Sequence, residues 1–373
     1  MQRKIILALP CLMVLAAVPA RAGDCKGPCV EWWGSYEAEG YWNHSKDPGI
    51  ADYFEASPTL ESNFIIRPAG AFSIAGTIIY ESVADSDPGS NRFFDHDGLY
   101  VDQLYAQYDM GEFSIFAGKI HPAFGRAWDV TPGLRGTDLA ESYELTERLG
   151  GGAVYGFEMG EMTNSLTAGV FTADRSILGD SLFFNRGRKT LLDGGAGNTS
   201  GMSSVALALD GCMGADPGSC YDDGQFGYQL ATRYQKHGDS GAENEWGFAG
   251  SLNKSVGLSE DSALKFFGEI AYFRNFDGTE DDAVSFTGSA ALVFGETTLS
   301  LAYTQQRILI AGDSDEVEHL LDASAVYSLG DAVSLAGEQW SVGAGYSFDR
   351  ADGEDTQSVG LKLTADFEGS AGL

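Results

Sequence analysis

The chain has 373 residues, of which 54 are acidic and 23 are basic, so its formal net charge at pH 7 is −31. So negative a chain is a poor partner for nucleic acids and for anionic lipid surfaces. Beyond the first residues, no apolar run approaches the roughly twenty residues of a membrane helix, which excludes a protein built from such helices.

The first 22 residues predict a secretory signal peptide. Two basic residues precede an apolar run from Ile5 to Val18, and the segment closes on the small-x-small sequence Ala20-Arg21-Ala22. We expect cleavage after Ala22, leaving an exported domain of residues 23–373. A membrane-anchoring first helix is the alternative, but the apolar run is short for a span and prolines interrupt it.

Runs with a period of two follow one another along the rest of the chain. In the last run, for example, the apolar residues Val359, Leu361 and Leu363 are separated by glycine or polar residues. Such a run predicts a strand with one apolar and one polar face, and most of these runs have the length of a tilted strand that crosses a bilayer. The sixteen predicted strands are 31–43, 53–66, 71–82, 99–109, 112–120, 151–159, 163–173, 201–209, 225–237, 244–257, 263–276, 283–294, 297–307, 318–329, 338–348 and 357–367.

The connections between these strands sort by length. Turns of two or three residues, such as Met110-Gly111 and Gly295-Glu296, follow most even-numbered strands, whereas long polar connections follow several odd-numbered ones. A transmembrane β-barrel shows this alternation, with short turns in the periplasm and long loops outside the cell. A soluble β-sandwich is not expected to sort its connections in this way. The connection 210–224 is an exception, because it is long where a short turn is expected.

Four cysteines follow the signal peptide in two close pairs, Cys25 with Cys29 and Cys212 with Cys220. An even number of cysteines in an exported chain predicts two local disulfides, formed in an oxidising compartment. Metal binding is the alternative, but no histidine lies near either pair, so no metal site is predicted.

Taken together, the signal peptide, the sixteen strands, the sorting of turns and loops, and the amphipathic last strand SVGLKLTADF resemble the Gram-negative outer-membrane porins. The resemblance covers nearly the whole mature chain as a pattern, without a residue-by-residue motif. It implies an all-β fold, a transmembrane antiparallel β-barrel of about sixteen strands, and a homotrimer in the bacterial outer membrane. The sequence departs from the family after Phe367, where EGSAGL follows the aromatic residue that usually ends the last strand.

The resemblance also suggests a role for the long third loop, 121–149. In porins of this architecture the third loop folds into the lumen and narrows a barrel that is otherwise too wide to select small solutes. Within this loop, Thr137 is placed to cap a short helix over 138–148. The predicted pore-constriction residues are Arg126, Asp129, Arg135, Asp138, Glu141, Glu144, Glu147 and Arg148. The predicted lumen charges of the barrel wall are Lys119, Arg233, Lys265, Glu269 and Lys362. An outward loop with solvated charges is the alternative.

The family resemblance implies a water-filled channel for passive diffusion of ions and small hydrophilic solutes, without a cofactor. A lumen dominated by carboxylates favours weak cation selectivity. The basic cluster Arg186, Arg188 and Lys189 keeps an anion- or phosphate-selective porin open, although contact of this loop with lipopolysaccharide is favoured over that role. At the acidic loops, we expect at most loosely bound divalent cations.

Other functions are less well supported by the sequence. It contains no G-x-S-x-G, no H-E-x-x-H and no P-loop, so an enzyme is not expected. A closed structural or adhesive outer-membrane barrel remains an alternative, because inward loops can seal a lumen as well as narrow it.

Overall fold

The computed structural model describes residues 28–47, 49–84, 89–238, 243–330, 339–351 and 353–373. The predicted signal peptide and Cys25 lie outside these ranges. Sixteen antiparallel strands form a barrel in which each strand pairs with its neighbours in sequence, and the first strand closes the barrel by pairing with the last. The barrel strands are β1 (Cys29–Ser45), β2 (Tyr53–Ala69), β3 (Phe72–Ser82), β4 (Asp97–Met110), β5 (Phe113–Ile120), β6 (Arg148–Met159), β7 (Met162–Ala173), β8 (Ser204–Met213), β9 (Phe226–Gln235), β10 (Glu245–Ser259), β11 (Ser262–Arg274), β12 (Asp282–Phe294), β13 (Thr297–Leu309), β14 (Glu316–Ser328), β15 (Gln339–Ala351) and β16 (Glu354–Gly372).

The barrel is apolar outside and polar inside. Along β10, the outward side chains Trp246, Phe248 and Leu252 are 45%, 51% and 58% exposed. The inward side chains Glu245 and Asn253 on the same strand are 1% and 7% exposed. A soluble protein distributes these residue types the other way round, whereas a wall that faces lipid requires an apolar outer surface.

The predicted fold class and all sixteen predicted strands are confirmed, with corrections at their ends. The strand predicted at 201–209 runs over Ser204–Met213 and therefore includes Cys212. The last strand does not stop at Phe367 but continues to Gly372, because this segment pairs with the start of β1. Strand β15 continues to Ala351 and β16 begins at Glu354, so both extend beyond the facing ends of the predicted strands 338–348 and 357–367.

Tight turns join β2 to β3, β4 to β5, β6 to β7, and β12 to β13. Each of these two-residue connections contains a glycine with a positive φ: Gly70, Gly111, Gly160 and Gly295 at 60°, 77°, 67° and 53°. Only glycine adopts this left-handed conformation without steric cost, so it suits these four turns. The equally short turn between β10 and β11, Glu260-Asp261, contains no glycine.

The remaining elements are short and lie in the connections. Two-residue strands, Arg92–Phe93 and Leu182–Phe183, pair with β2 and β4. The helices are α1 (Ala127–Val130) and α2 (Cys220–Asp223), with 3-10 turns at Ala140–Tyr143, Ile177–Gly179, Leu191–Asp193, Pro217–Ser219 and Phe276–Gly278. In the ranges that the structure describes, no helix is long and apolar enough to cross a membrane.

The hydrophobic core lies between the 121–147 loop and one side of the barrel wall. From the loop come Phe124, Ala127, Ala140, Tyr143 and Leu145. The wall contributes mostly alanines, whose small side chains leave room for the aromatic rings of the loop. These wall residues are Ala206, Ala208, Ala231, Ala249, Ala271 and Ala283, together with Phe171, Phe267 and Phe273.

Candidate functional site in the barrel interior

Glu269 of β11 is the main polar contact between the wall and the 121–147 loop. Its buried carboxylate accepts hydrogen bonds from Tyr143 Oη at 2.8 Å and from the backbone N–H groups of Arg126 and Ala127 at 2.7 and 3.3 Å. A buried carboxylate is costly unless donors satisfy its oxygens. These three donors come from two separate parts of the loop, so Glu269 fixes both against the same strand.

Arg233 of β9 makes a second buried contact with the loop. Its Nε lies 2.6 Å from Glu245 Oε1, and its Nη1 donates to the backbone oxygen of Tyr143. The guanidinium also contacts two neighbouring aromatic rings, with its carbon 4.5 Å from the Phe124 centroid and 4.6 Å from the Phe273 centroid. A buried ion pair of this kind needs full hydrogen bonding and cation–π contact to offset its desolvation.

The middle of the loop reaches other strands. The Arg135 backbone N–H donates to Asp322 of β14 at 3.1 Å, and Tyr41 of β1 donates to the backbone oxygen of Leu134 at 3.2 Å. Gln306 of β13 donates to Ser142 Oγ at 2.8 Å. The loop therefore contacts inward-facing side chains on strands that lie well apart around the barrel.

Buried Lys119, at the end of β5, holds the end of the loop. Its Nζ lies 2.6 Å from Glu147 and 3.1 Å from Asp174, and donates to the backbone oxygen of Leu178 at 2.9 Å. Arg186 donates to both carboxylate oxygens of Glu147. The Glu147 carboxylate thus joins the 121–147 loop to the 174–203 loop.

The helix predicted over 138–148 is wrong except for one 3-10 turn, Ala140–Tyr143. Thr137 does not cap it, and its hydroxyl instead donates to Glu141 at 3.0 Å. Beyond the turn the chain is extended, so that Tyr143 and Leu145 both face the core. An extended chain brings residues i and i+2 to the same side, and this packing outweighs the local preference for a helix.

On the other side of the interior lies an open cavity of about 800 Å³. Strands β2, β3, β4, β7, β8 and β9 line it, and the loop forms its opposite side. Eight carboxylates line this cavity, whereas Arg126 and His121 are its basic side chains. The eight are Glu61, Glu81, Asp102, Asp129, Glu141, Glu144, Glu147 and Asp210.

Burial raises the pKa of several loop carboxylates that line this cavity. Burial, reinforced by Glu141 and Asp102, raises the pKa of Glu144 to about 8. Burial also raises the pKa of Asp129 and Glu141. Desolvation and like charges both disfavour the ionised carboxyl group, so Glu144 is largely protonated at neutral pH.

The structure separates the predicted site residues into groups. Arg126, Asp129, Glu141, Glu144 and Glu147 line the cavity. Arg135 pairs with Asp138 at 2.7 Å, away from this cavity. Lys265 pairs with Asp222 at 3.2 Å, and Lys362 pairs with Glu37 and Glu39 at 2.6 and 2.9 Å, both away from the cavity. The other predicted charges away from the cavity are Arg148 and the loop anchors Lys119, Arg233 and Glu269.

The sequence reading missed the wall carboxylates Glu61, Glu81, Asp102 and Asp210. Glu81 has a sequence signal, because Thr77, Ile79 and Glu81 share one face of β3 and all line the cavity. Asp102 has none. It is an extra residue in the pairing of β4 with β3, and after this β-bulge the inward face changes to odd-numbered positions such as Gln103.

The disulfide between Cys212 and Cys220 is confirmed, with the two Cα atoms 5.7 Å apart. Cys29 is also disulfide-bonded, and its predicted partner Cys25 lies outside the described residues. The Cys212–Cys220 disulfide ties the long turn 214–225. Its Pro217 and Gly218 line the cavity.

In the part of the chain that the structure describes, no group of three histidine, cysteine, aspartate or glutamate side chains is arranged to hold a metal ion. Arg188 and Lys189 of the predicted basic cluster are exposed, while Arg186 is engaged by Glu147 and lies 3.7 Å from the ring of Tyr100.

No protein-family model matches the sequence, and neither does any curated protein. Among solved structures, the fold is similar to an anion-selective porin from Comamonas acidovorans, with a TM-score of 0.54 at 10% identity over 91% of this chain and 99% of that one. It is also similar to the outer-membrane channel DcaP of Acinetobacter baumannii, with a TM-score of 0.51 at 14% identity over 91% and 98% of the two chains. OccK1 (OpdK) of Pseudomonas aeruginosa matches with a TM-score of 0.51 at 11% identity and the same coverage. The chain therefore has the fold of the sixteen-stranded outer-membrane porins.

Proposed function

We propose that this protein is an outer-membrane porin, a water-filled channel through which ions and small hydrophilic solutes diffuse passively, with a weak preference for cations. The carboxylate-lined cavity inside a barrel with an apolar outer surface carries this proposal. The solved structures that share the fold include a porin and an outer-membrane channel, which supports the same function.

The division between wall and lumen explains how such a channel works. Every backbone N–H and C=O of a barrel strand can bond to a neighbouring strand, so a closed barrel presents no unpaired backbone edge to lipid. Alternation then directs apolar side chains to lipid and polar side chains to water. Transport follows the solute gradient and needs no cofactor.

The 121–147 loop is the constriction in this proposal. Its contacts with Glu269, Arg233 and Asp322 support an inward position, because all three are inward-facing wall residues. With the loop packed on one side of the interior, solutes pass between the loop and the carboxylates on the opposite side.

Cation preference follows from the charges that line this passage. Eight carboxylates face it, and one of them, Glu144, is largely protonated at neutral pH. A surplus of carboxylates raises the local concentration of cations and lowers that of anions. The side chain of Arg186, which the alternative anion-selective porin would use, is already engaged by Glu147.

The surroundings of the channel complete the proposal. The exposed side chains Arg188 and Lys189 are placed to contact lipopolysaccharide from the 174–203 loop, and the outward apolar side chains contact lipid. Assembly as a homotrimer, implied by the resemblance to porins, is also part of the proposal. Divalent cations bind at most loosely to the acidic loops.

The deciding experiment is to measure the conductance of the purified, refolded protein in a planar bilayer with a salt gradient across it. We expect discrete steps, in groups of three for a trimer, and a reversal potential whose sign shows preferential passage of cations. A potential of the opposite sign would favour the anion-selective alternative. Insertion without current would favour a closed structural or adhesive barrel.

A further inference from the structure

The turn 214–225, between β8 and β9, folds against inward-facing residues of the wall. Asn253 of β10 donates to the backbone oxygen of Cys220 at 3.1 Å. The ring of Tyr221 meets Phe267 of β11 edge-on, with centroids 6.3 Å apart, and Asp222 pairs with Lys265. Both Asn253 and Phe267 belong to the buried inner face of their strands. The turn is thus a second inward element, which enters from the end of the barrel opposite the 121–147 loop.

The disulfide sits in a space shaped to hold it. Cys212 and Cys220 are fully buried. A Cβ atom added at Gly224 would lie 2.5 Å from both sulfur atoms, and one added at Gly227 would lie 2.5 Å from the Cys220 sulfur. Any side chain at these two positions would collide with the disulfide, so the fold of the turn and the disulfide depend on each other.

Arg126 connects the two inward elements. Its Nη1 donates to the backbone oxygen of Pro217 at 2.9 Å, and its Nη2 donates to that of Gly218 at 3.2 Å. The backbone N–H of the same residue donates to Glu269. The guanidinium therefore holds the tip of the turn against a part of the loop that is itself bound to the wall. These two hydrogen bonds are called the Arg126 latch below.

We propose that the turn 214–225 is a second constriction element, that the Cys212–Cys220 disulfide and the Arg126 latch hold it in the lumen, and that it sets the width of the channel together with the 121–147 loop. This inference rests on the proposed channel function. Pro217 and Gly218 line the same cavity as Asp129 of the loop, so the joined elements bound one passage.

The test uses the full-length folded protein in planar bilayers. Replacing both cysteines (Cys212→Ala with Cys220→Ala) releases the turn without changing any charge, and we expect conductance to rise about 1.5-fold because more of the cross-section opens. The reversal potential should stay close to that of the wild type, since every cavity carboxylate remains. Gel electrophoresis with and without heating shows whether each variant has folded. A folded barrel changes its mobility on heating, and an unfolded one does not.

A second variant tests the latch. Arg126→Gln should also raise the conductance, and it should increase cation preference because it removes the cavity's arginine. Combined with the two cysteine replacements, it should raise conductance by less than the sum of the separate effects, since both act on the same turn. Arg307→Gln, which breaks an exposed ion pair with Asp315 away from the cavity, is the matched control and should change nothing.

Hydrogen–deuterium exchange supplies a readout that does not depend on current. Amide exchange in residues 214–225 should be faster in Arg126→Gln than in Arg307→Gln. Unchanged exchange together with unchanged conductance in folded variants would overturn the inference and leave the disulfide as a structural tie only. In that case the wild-type protein still conducts, whereas failure of the proposed function itself would show as a wild-type barrel without current.

Discussion

The two sides of the barrel interior contrast in what they hold. On the side of β10 to β12, small wall residues such as Ala249 and Ala271 lie under the aromatic rings of the 121–147 loop, and the space is filled. On the side of β2 to β4, the wall carries Glu61, Glu81 and Asp102, and the space is open. Both sides belong to one continuous sheet with the same backbone pairing. The size and charge of inward side chains therefore decide where this barrel is packed and where it is open.

Removing the loop should have the largest effect, because it would open the packed side as well. Deleting residues 128–144 should raise conductance by about twofold or more and weaken ion selectivity, because a sixteen-stranded barrel is wide when nothing fills it. Single-channel recording measures both. Unchanged conductance in a folded deletion variant would place the loop outside the passage.

A matched pair of substitutions compares the two sides through the free energy of unfolding. Ala271→Leu adds three carbon atoms to the packed side, where Ala271 is fully buried, and overpacking should cost about 1–3 kcal/mol. Gln103→Leu puts a similar side chain into the open cavity and should stay within about 0.5 kcal/mol of the wild type. Denaturant unfolding of the two purified variants compares them directly, and equal losses would show that the two sides are packed alike.

Carboxylates on the two sides should also act differently. Asp129→Asn with Glu141→Gln removes two charges from the cavity, and the cation-to-anion permeability ratio should fall by about twofold with little change in stability. Glu269→Gln weakens a buried anchor on the packed side, and it should cost about 1–3 kcal/mol while nearly preserving the ratio. Reversal potentials and unfolding curves of both variants check this division of roles. A selectivity change confined to Glu269→Gln would contradict it.

The smallest effect concerns pH. Burial and neighbouring carboxylates raise the pKa of Glu144 to about 8, so this group is mostly protonated at pH 7 and ionised at pH 9. Raising the pH through this range adds one negative charge to the cavity, and cation preference should increase by less than about twofold. Glu144→Gln should remove this step in the reversal potential, whereas Arg307→Gln should retain it.

Much of the fold could be predicted because it depends on a period of two. The alternation of Trp246, Phe248 and Leu252 with polar or small residues marks a strand and its lipid face wherever it lies in the chain. The ends of strands were less predictable. Whether the chain continues past Phe367 depends on the start of β1, which lies more than 300 residues away in sequence and pairs with Gly372.

The site could be predicted only as a list of charges. Arg126, Asp129 and Glu144 belong to one loop, so their shared location could be predicted. It did not show that Arg126 meets the turn at Pro217, or that the β-bulge at Asp102 changes which residues face inward. Both features depend on how separate segments of the chain meet, and no periodicity in the sequence relates those segments.

The wall of alternating strands could be predicted from the sequence alone, because each strand carries its own apolar and polar faces. The excess of acidic over basic residues is likewise a property of the sequence. Which carboxylates line the open cavity and which, like Glu269, anchor the loop depends on the tertiary structure. The reason is physical: a strand's faces follow from local geometry, whereas the environment of a charge depends on the side chains that the closed barrel brings around it.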